Sequence, residues 1–121
     1  MNKQKQIQEI KIKLLLDQNF ICPLCKVDMR PMESKNRCLD HDHDTGYIRA
    51  VLCRNCNSME GKITGCIRRA KRLLSKEEWF QNLIHHWMIS TAMIHPTHKT
   101  PEEKKELRRK RAAKRKRNRN R

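Results

Sequence analysis

Aromatic side chains are scarce in this sequence: two Trp, one Tyr and two Phe among 121 residues, or 4%. Hydrophobic residues of all kinds reach only 36%, so an ordinary apolar core would be thin. A chain of this length holds one small domain with appendages rather than two full-sized domains. Domains this lean are commonly stapled by disulfides or by a structural metal. No run of about eighteen apolar residues occurs, which excludes a transmembrane helix and leaves no reason to expect a membrane partner. Acidic residues are few as well, 13 Asp and Glu against 29 Lys and Arg, a formal charge of +16. A balance of that size points to a polyanion as partner. The opening stretch MNKQKQIQEIKIK is too charged for a secretory apolar region, and a soluble, intracellular protein is expected.

Cysteine is present in quantity, with six residues: Cys22, Cys25, Cys38, Cys53, Cys56 and Cys66. A reducing compartment disfavours a disulfide framework. Four of the six form two CxxC pairs, CPLC and CRNC, with 27 residues between them. Each pair offers two thiolates from one tight turn, and together Cys22, Cys25, Cys53 and Cys56 make a tetrahedral structural zinc site. A redox CxxC would sit near a βαβ pattern, and none is visible. Cys38 and Cys66 have no partner by spacing and read as plain buried thiols.

Along the chain, residues 3–16 read as an amphipathic helix with Ile7, Ile10 and Leu14 on its apolar stripe,. Asp17-Gln18-Asn19 ends it, Phe20-Ile21 enters the first knuckle, and 26–36 reads as loop. Arg37 to His41 and Tyr47 to Leu52 read as strands around an Asp44-Thr45-Gly46 turn,. Asn55 to Ile63 reads as a helix closing near Gly65, giving a ββα unit clasped by metal. A short basic helix is expected over 66–74, with Ile67, Ala70, Leu73 and Leu74 inward. Ser75 to Glu78 forms a capping box opening a helix that carries Trp79, Phe80, Leu83, Ile84, Trp87 and Met88. Packing of that stripe within the chain is the default expectation and a homodimer the alternative. Residues 102–121 hold 12 Lys and Arg against three glutamates and read as a tail that is disordered, or weakly helical, when alone, either merely solvated or a phosphate-binding arm.

The segment Asp40-His41-Asp42-His43-Asp44 packs three carboxylates and two imidazoles into consecutive positions. Strand alternation puts His41 and His43 on one face and Asp40 and Asp42 on the other. A polar hairpin rim is the plain explanation. Phosphodiester hydrolysis is the chemical one, since it needs oxygen ligands for a hard cation and a base titrating near neutrality. Asp40 supplies a carboxylate oxygen, His41 or His43 the base, and Asn57, directly after Cys56, a second oxygen.

CPLC, then LDHDHDTGYIRAVLC, then RNCN resembles the recombination endonuclease VII family of phages, a branch of the HNH or ββα-metal nucleases. The resemblance covers about residues 20–63. It implies that Cys22, Cys25, Cys53 and Cys56 bind structural zinc, that Asp40 and Asn57 bind magnesium or manganese, that His41 is the general base and that His43 contacts phosphate. It also implies 5′-phosphate and 3′-hydroxyl products, with either branched DNA such as a Holliday junction or duplex DNA cut in homing fashion as substrate. The best-known member dimerises through an extended helical region; the segment after the zinc unit here is short. The expected fold is therefore α+β: an N-terminal helix (1–19), a zinc-bound ββα-metal core (20–65), a helical extension (66–95) and a disordered basic tail (96–121). Competing readings are a non-catalytic zinc-containing nucleic-acid-binding module, and histidines serving as extra zinc ligands. His85, His86, His95 and His98 are assigned no chemistry.

Overall fold

The computed structural model describes residues 2–121. Helix α1, Lys3–Asp17, begins where the Asn2 side chain accepts a hydrogen bond from the Lys5 amide at 3.1 Å,. Left-handed backbone at Asn19 and Phe20 turns the chain away after it. The face α1 buries is rotated from the expected stripe: Lys11 and Leu15 are buried, Ile10 and Leu14 half-buried, and Ile7 exposed. The cause is Gln18 just past the helix. Its amide nitrogen donates to the Val51 carbonyl at 2.9 Å, and its oxygen accepts from the Val51 amide at 2.8 Å. A side chain thus substitutes for a missing neighbour strand and fixes which side of α1 meets the sheet.

Strands β1, Arg37–His41, and β2, Ile48–Cys53, form a two-stranded antiparallel sheet. β2 starts one residue later than expected and runs on to Cys53. Tyr47 belongs to the turn, where its carbonyl accepts from the Asp42 amide at 2.9 Å. Pairing runs Asp40 to Ala50 and then His41 to Ile48, so Arg49 is the extra residue of a β-bulge. The segment read as loop contains a bridge from Ile21 to Asp28 and a 3-10 turn over Ser34–Asn36.

Helix α2, Arg54–Ala70, is continuous, where the sequence suggested a stop near Gly65 and a separate helix after it. Glycine inside a helix costs about 1 kcal/mol, and the apolar series Met59, Ile63 and Ile67, ending in buried Ile67, offsets it. Leu73, expected inward, is fully exposed. Helix α3, Lys76–Trp87, opens with the expected capping box: Glu78 N donates to Ser75 Oγ at 3.1 Å and Ser75 N to Glu78 Oε1 at 3.2 Å. None of its residues is fully buried. Helix α4, Pro101–Arg119, occupies the segment read as disordered. Thr100 caps it, Pro101 sits in its first turn, Glu102 and Glu103 face its positive end, and Lys and Arg propagate helix well,.

The chain divides into two units, residues 1–84 and 85–121. The first holds the core, built from Leu15, Cys22, Met29, Val51, Leu52 and Cys53. Two of these six are thiols of the expected zinc site.

Candidate metal centre and active site

The two knuckles are shaped by backbone before any metal is considered. In the first, Cys22 N donates to Val27 O at 3.0 Å and Lys26 N to Cys22 O at 2.9 Å, with Lys26 in left-handed conformation closing the loop. In the second, Cys53 ends β2 and caps α2, its sulfur accepting from the Cys56 amide at 3.4 Å. The sulfurs of Cys22, Cys25, Cys53 and Cys56 all lie within 4.8 Å of one another, and no cysteine is in a disulfide. Cys25 Sγ and Cys53 Sγ are 3.8 Å apart, the edge of a tetrahedron whose Zn–S bonds measure about 2.3 Å. The donor set therefore fits structural zinc.

Electrostatics within the cluster point the same way. Burial pushes the Cys22 thiol up, but backbone amides of Cys25, Cys53 and Leu24 outweigh it and bring the thiol down to about 6. Burial, then hydrogen bonding with Cys53, Cys25 and Cys22, pushes Cys56 up to about 12. One thiolate forms readily there, and a bound cation would favour ionisation of Cys53 and Cys56, whose thiols burial pushes up,. Of the other two cysteines, Cys38 is half-buried on β1 and Cys66 is exposed on α2, so Cys66 is not the buried thiol expected from spacing.

The hairpin carries the acidic run. Asp40 is buried at the end of β1, and both its oxygens accept from Arg49, at 2.8 Å from Nε and 2.9 Å from Nη2. The bulge makes this possible, because the extra residue in β2 turns the Arg49 side chain onto Asp40. Arg49 also reaches Glu60 Oε1 on α2 at 3.2 Å, and that oxygen accepts from Thr64 Oγ1 at 2.9 Å. His41 and His43 are exposed, with ring centroids 4.6 Å apart, the shared face that alternation predicted. Asp42 organises the turn between them by accepting from the amides of Asp44 at 2.8 Å and Thr45 at 3.2 Å. Those amides hold its carboxyl below the usual carboxylate range. Gly46, with φ of 80°, supplies the left-handed residue that closes the turn.

Asn57 sits half-buried in the first turn of α2, whose N-terminus the Cys53–Cys56 knuckle anchors. No hydrogen bond joins Asp40 to Asn57 among the described residues; both bonds of Asp40 go to Arg49. The four cysteines are the one cluster of three or more His, Cys, Asp and Glu ligands among those residues, and neither His41 nor His43 belongs to it. A groove of about 340 Å³ runs past the hairpin, lined by Asp42, His43, Arg49, Glu60, Thr64 and Arg68. Gly61 and Gly65 form part of its wall, lowering the α2 surface there. Arg68 ties α2 to the turn through Asp44 at 2.7 Å.

Sequence reasoning missed Arg49, Glu60 and Arg68. Two signals were available: Asn57 and Glu60 stand three apart and so share a helix face, and Arg49 lies diagonally across the hairpin from Asp40. With this geometry described, the comparison with known proteins is specific. The family model of recombination endonuclease VII matches residues 1–82, covering α1, both knuckles, the hairpin, α2 and the first turns of α3. By fold, by cysteine cluster and by this match, the chain belongs to the recombination endonuclease VII family, a family of nucleases.

Proposed function

We propose that the chain is a divalent-cation-dependent DNA endonuclease that hydrolyses phosphodiester bonds. Branched DNA such as a four-way junction is its preferred substrate, and homing-type cleavage of duplex DNA is the alternative. The observation that supports this reading best is the hairpin: two exposed imidazoles 4.6 Å apart beside a buried carboxylate. Catalysis needs reacting groups held rigidly, and the zinc knuckle that ends β2 and starts α2 gives that rigidity.

In this mechanism the His41 ring accepts a proton from the attacking water, the general-base role an exposed imidazole can fill. The bond from phosphorus to the 3′-oxygen breaks as water attacks, leaving 5′-phosphate and 3′-hydroxyl ends. His43 hydrogen-bonds a non-bridging phosphate oxygen. Asp40 and Asn57 would hold magnesium or manganese through oxygen atoms, a donor set suited to hard cations. When bound, such an ion neutralises charge on the phosphate and on the departing oxygen. Glu60 gives Arg49 a second acceptor at 3.2 Å, so the guanidinium stays paired when an Asp40 oxygen is used elsewhere. Arg68 and Lys76 on the groove wall attract the flanking phosphates.

The test is nicking of supercoiled plasmid in magnesium or manganese. His41→Ala lowers the rate by at least about a hundredfold and leaves zinc content and DNA binding unchanged. A wild-type protein that binds DNA but never nicks it under either cation is a zinc-clasped binding module, and the proposal is then wrong. Parallel digestion of a four-way junction and a linear duplex separates the substrates: equal rates on both remove the junction preference.

A further inference from the structure

Helix α4 lies wholly outside the matched region, residues 1–82, and it buries none of its residues. Packing gives no reason for its sequence, yet its charges are ordered. Lys104, Arg108, Arg111, Arg115 and Arg119 follow one another at spacings of four, three, four and four. On an α-helix such positions lie within about 80° of one another. The side opposite holds Glu103 and Glu106 among Lys110, Lys114 and Arg117. One face is thus purely cationic over about 22 Å of axis, with Lys105, Arg109 and Lys116 on its flank, and the side opposite is mixed,. Like charges three and four apart destabilise a helix, so this row is costly unless something anionic lies along it.

We infer that this face of α4 is a binding site for the phosphate backbone of duplex DNA, independent of base sequence. Three features select that ligand. The row is straight and its cations recur every 4.5–6 Å of rise, as estimated at about 1.5 Å per residue, which suits the rigid phosphate row of a duplex. No aromatic residue occurs in α4, so there is no platform on which the bases of a single strand could stack. Leu107 is its one large apolar residue, which leaves no apolar face to enter a membrane surface. Residues 88–100, which join α3 to α4, can extend no further than about 45 Å, so the arm raises local DNA concentration near the nuclease unit. The inference takes DNA as partner from the proposed function and requires nothing of its catalysis.

The test uses full-length variants with equal charge loss. One carries Arg108, Arg111 and Arg115→Gln; the other carries Lys110, Lys114 and Arg117→Gln. Binding to labelled duplexes of two unrelated sequences is followed by anisotropy against salt, in calcium without magnesium or manganese. Each lost phosphate contact lowers the slope of log K on log salt by about 0.9. The slope falls by about 2–3 for the first variant and by less than about 1 for the second, alike on both sequences. Arg108, Arg111 and Arg115→Lys keeps the wild-type slope, which separates charge from any effect of substitution on the helix. Equal losses in both triple variants, or none in either, overturn the inference, as does tighter binding of wild type to duplex RNA or anionic vesicles than to DNA. Because the readout is binding, a protein that never nicks plasmid but shows the slope difference loses the nuclease reading and keeps the arm. Intact nicking with unchanged slopes does the reverse.

Discussion

Arg49 and Asp40 show how much of the site rests on single residues. Asp40 is 6% exposed, and a carboxylate taken that far from water needs a partner. Removing the cation from a fully buried pair costs about 3–5 kcal/mol, but the Arg49 side chain is 38% exposed, so water can replace part of what is lost. Arg49→Ala is therefore expected to cost about 1–3 kcal/mol, read as a lowered urea midpoint with unchanged m-value. A change within error would mean that Asp40 is already well solvated.

The thiols give a second prediction at this scale. Cys22 titrates at about 6, below its ordinary 9.0, because amide donation outweighs burial. Its thiolate contribution to folding is fully present above pH 9 and is lost as pH falls through 6,. Cys56, raised to about 12, has the opposite sign: its neutral thiol favours the fold below 9, and that contribution is lost as pH rises through 12. Because the ligands bind zinc as thiolates, zinc binding releases protons, and zinc affinity in chelator competition should fall as pH drops below about 9. An affinity unchanged between pH 9 and pH 6 would contradict thiolate ligation.

Elements are fixed here by polar devices as much as by apolar stripes. Gln18 joins α1 to β2 through both backbone groups of Val51. Gln18→Ala strands that N–H and C=O in the core, and an unmet buried backbone group costs about 1–3 kcal/mol. The expected outcome is a lower thermal midpoint, with zinc still bound. In α2, a Cβ built at Gly61 meets nothing within 4 Å. Gly61→Ala should therefore raise stability by about 0.5–1 kcal/mol, which a urea titration measures; destabilisation would mean that the wall is tighter than it appears.

These devices also mark what the sequence could and could not disclose. The capping box of α3, the two knuckles and the hairpin were legible, because each depends on residues close in the chain. The buried face of α1 was not, since a glutamine 33 residues before Val51 decides it. Nor was the Arg49–Glu60 link: it depends on a one-residue bulge that shifts every later side chain, and no periodicity announces that. Between disorder and weak helix, the sequence left α4 open because charge repulsion was weighed and the Thr100 cap, the first-turn glutamates and the propensity of Lys and Arg were not.

At the scale of the molecule, the small core predicts a fold that depends on a metal at the cysteine cluster. Of the buried apolar residues Leu15, Cys22, Met29, Val51, Leu52, Cys53 and Ile67, two are cluster ligands, and Cys56 packs against the same core. Met29, fully buried, is among its largest side chains, and filling it contributes only about 2–5 kcal/mol. Metal binding to a structural cysteine site is worth about 10–16 kcal/mol in small folds, more than a typical domain's whole net stability. Removing zinc with a strong chelator should therefore abolish the cooperative melt of residues 1–84 rather than lower its midpoint. Helix α4 has no such dependence, because its caps are local and it buries nothing. The far-ultraviolet dichroism of the chelated protein should retain a helical remnant that melts gradually, while the near-ultraviolet signal of half-buried Trp79 flattens. Adding zinc back should restore the sharp transition in wild type and not in Cys25→Ala, whose substituted residue is exposed and leaves the apolar core untouched. A chelated protein that still melts sharply would show that the apolar core holds the nuclease unit by itself.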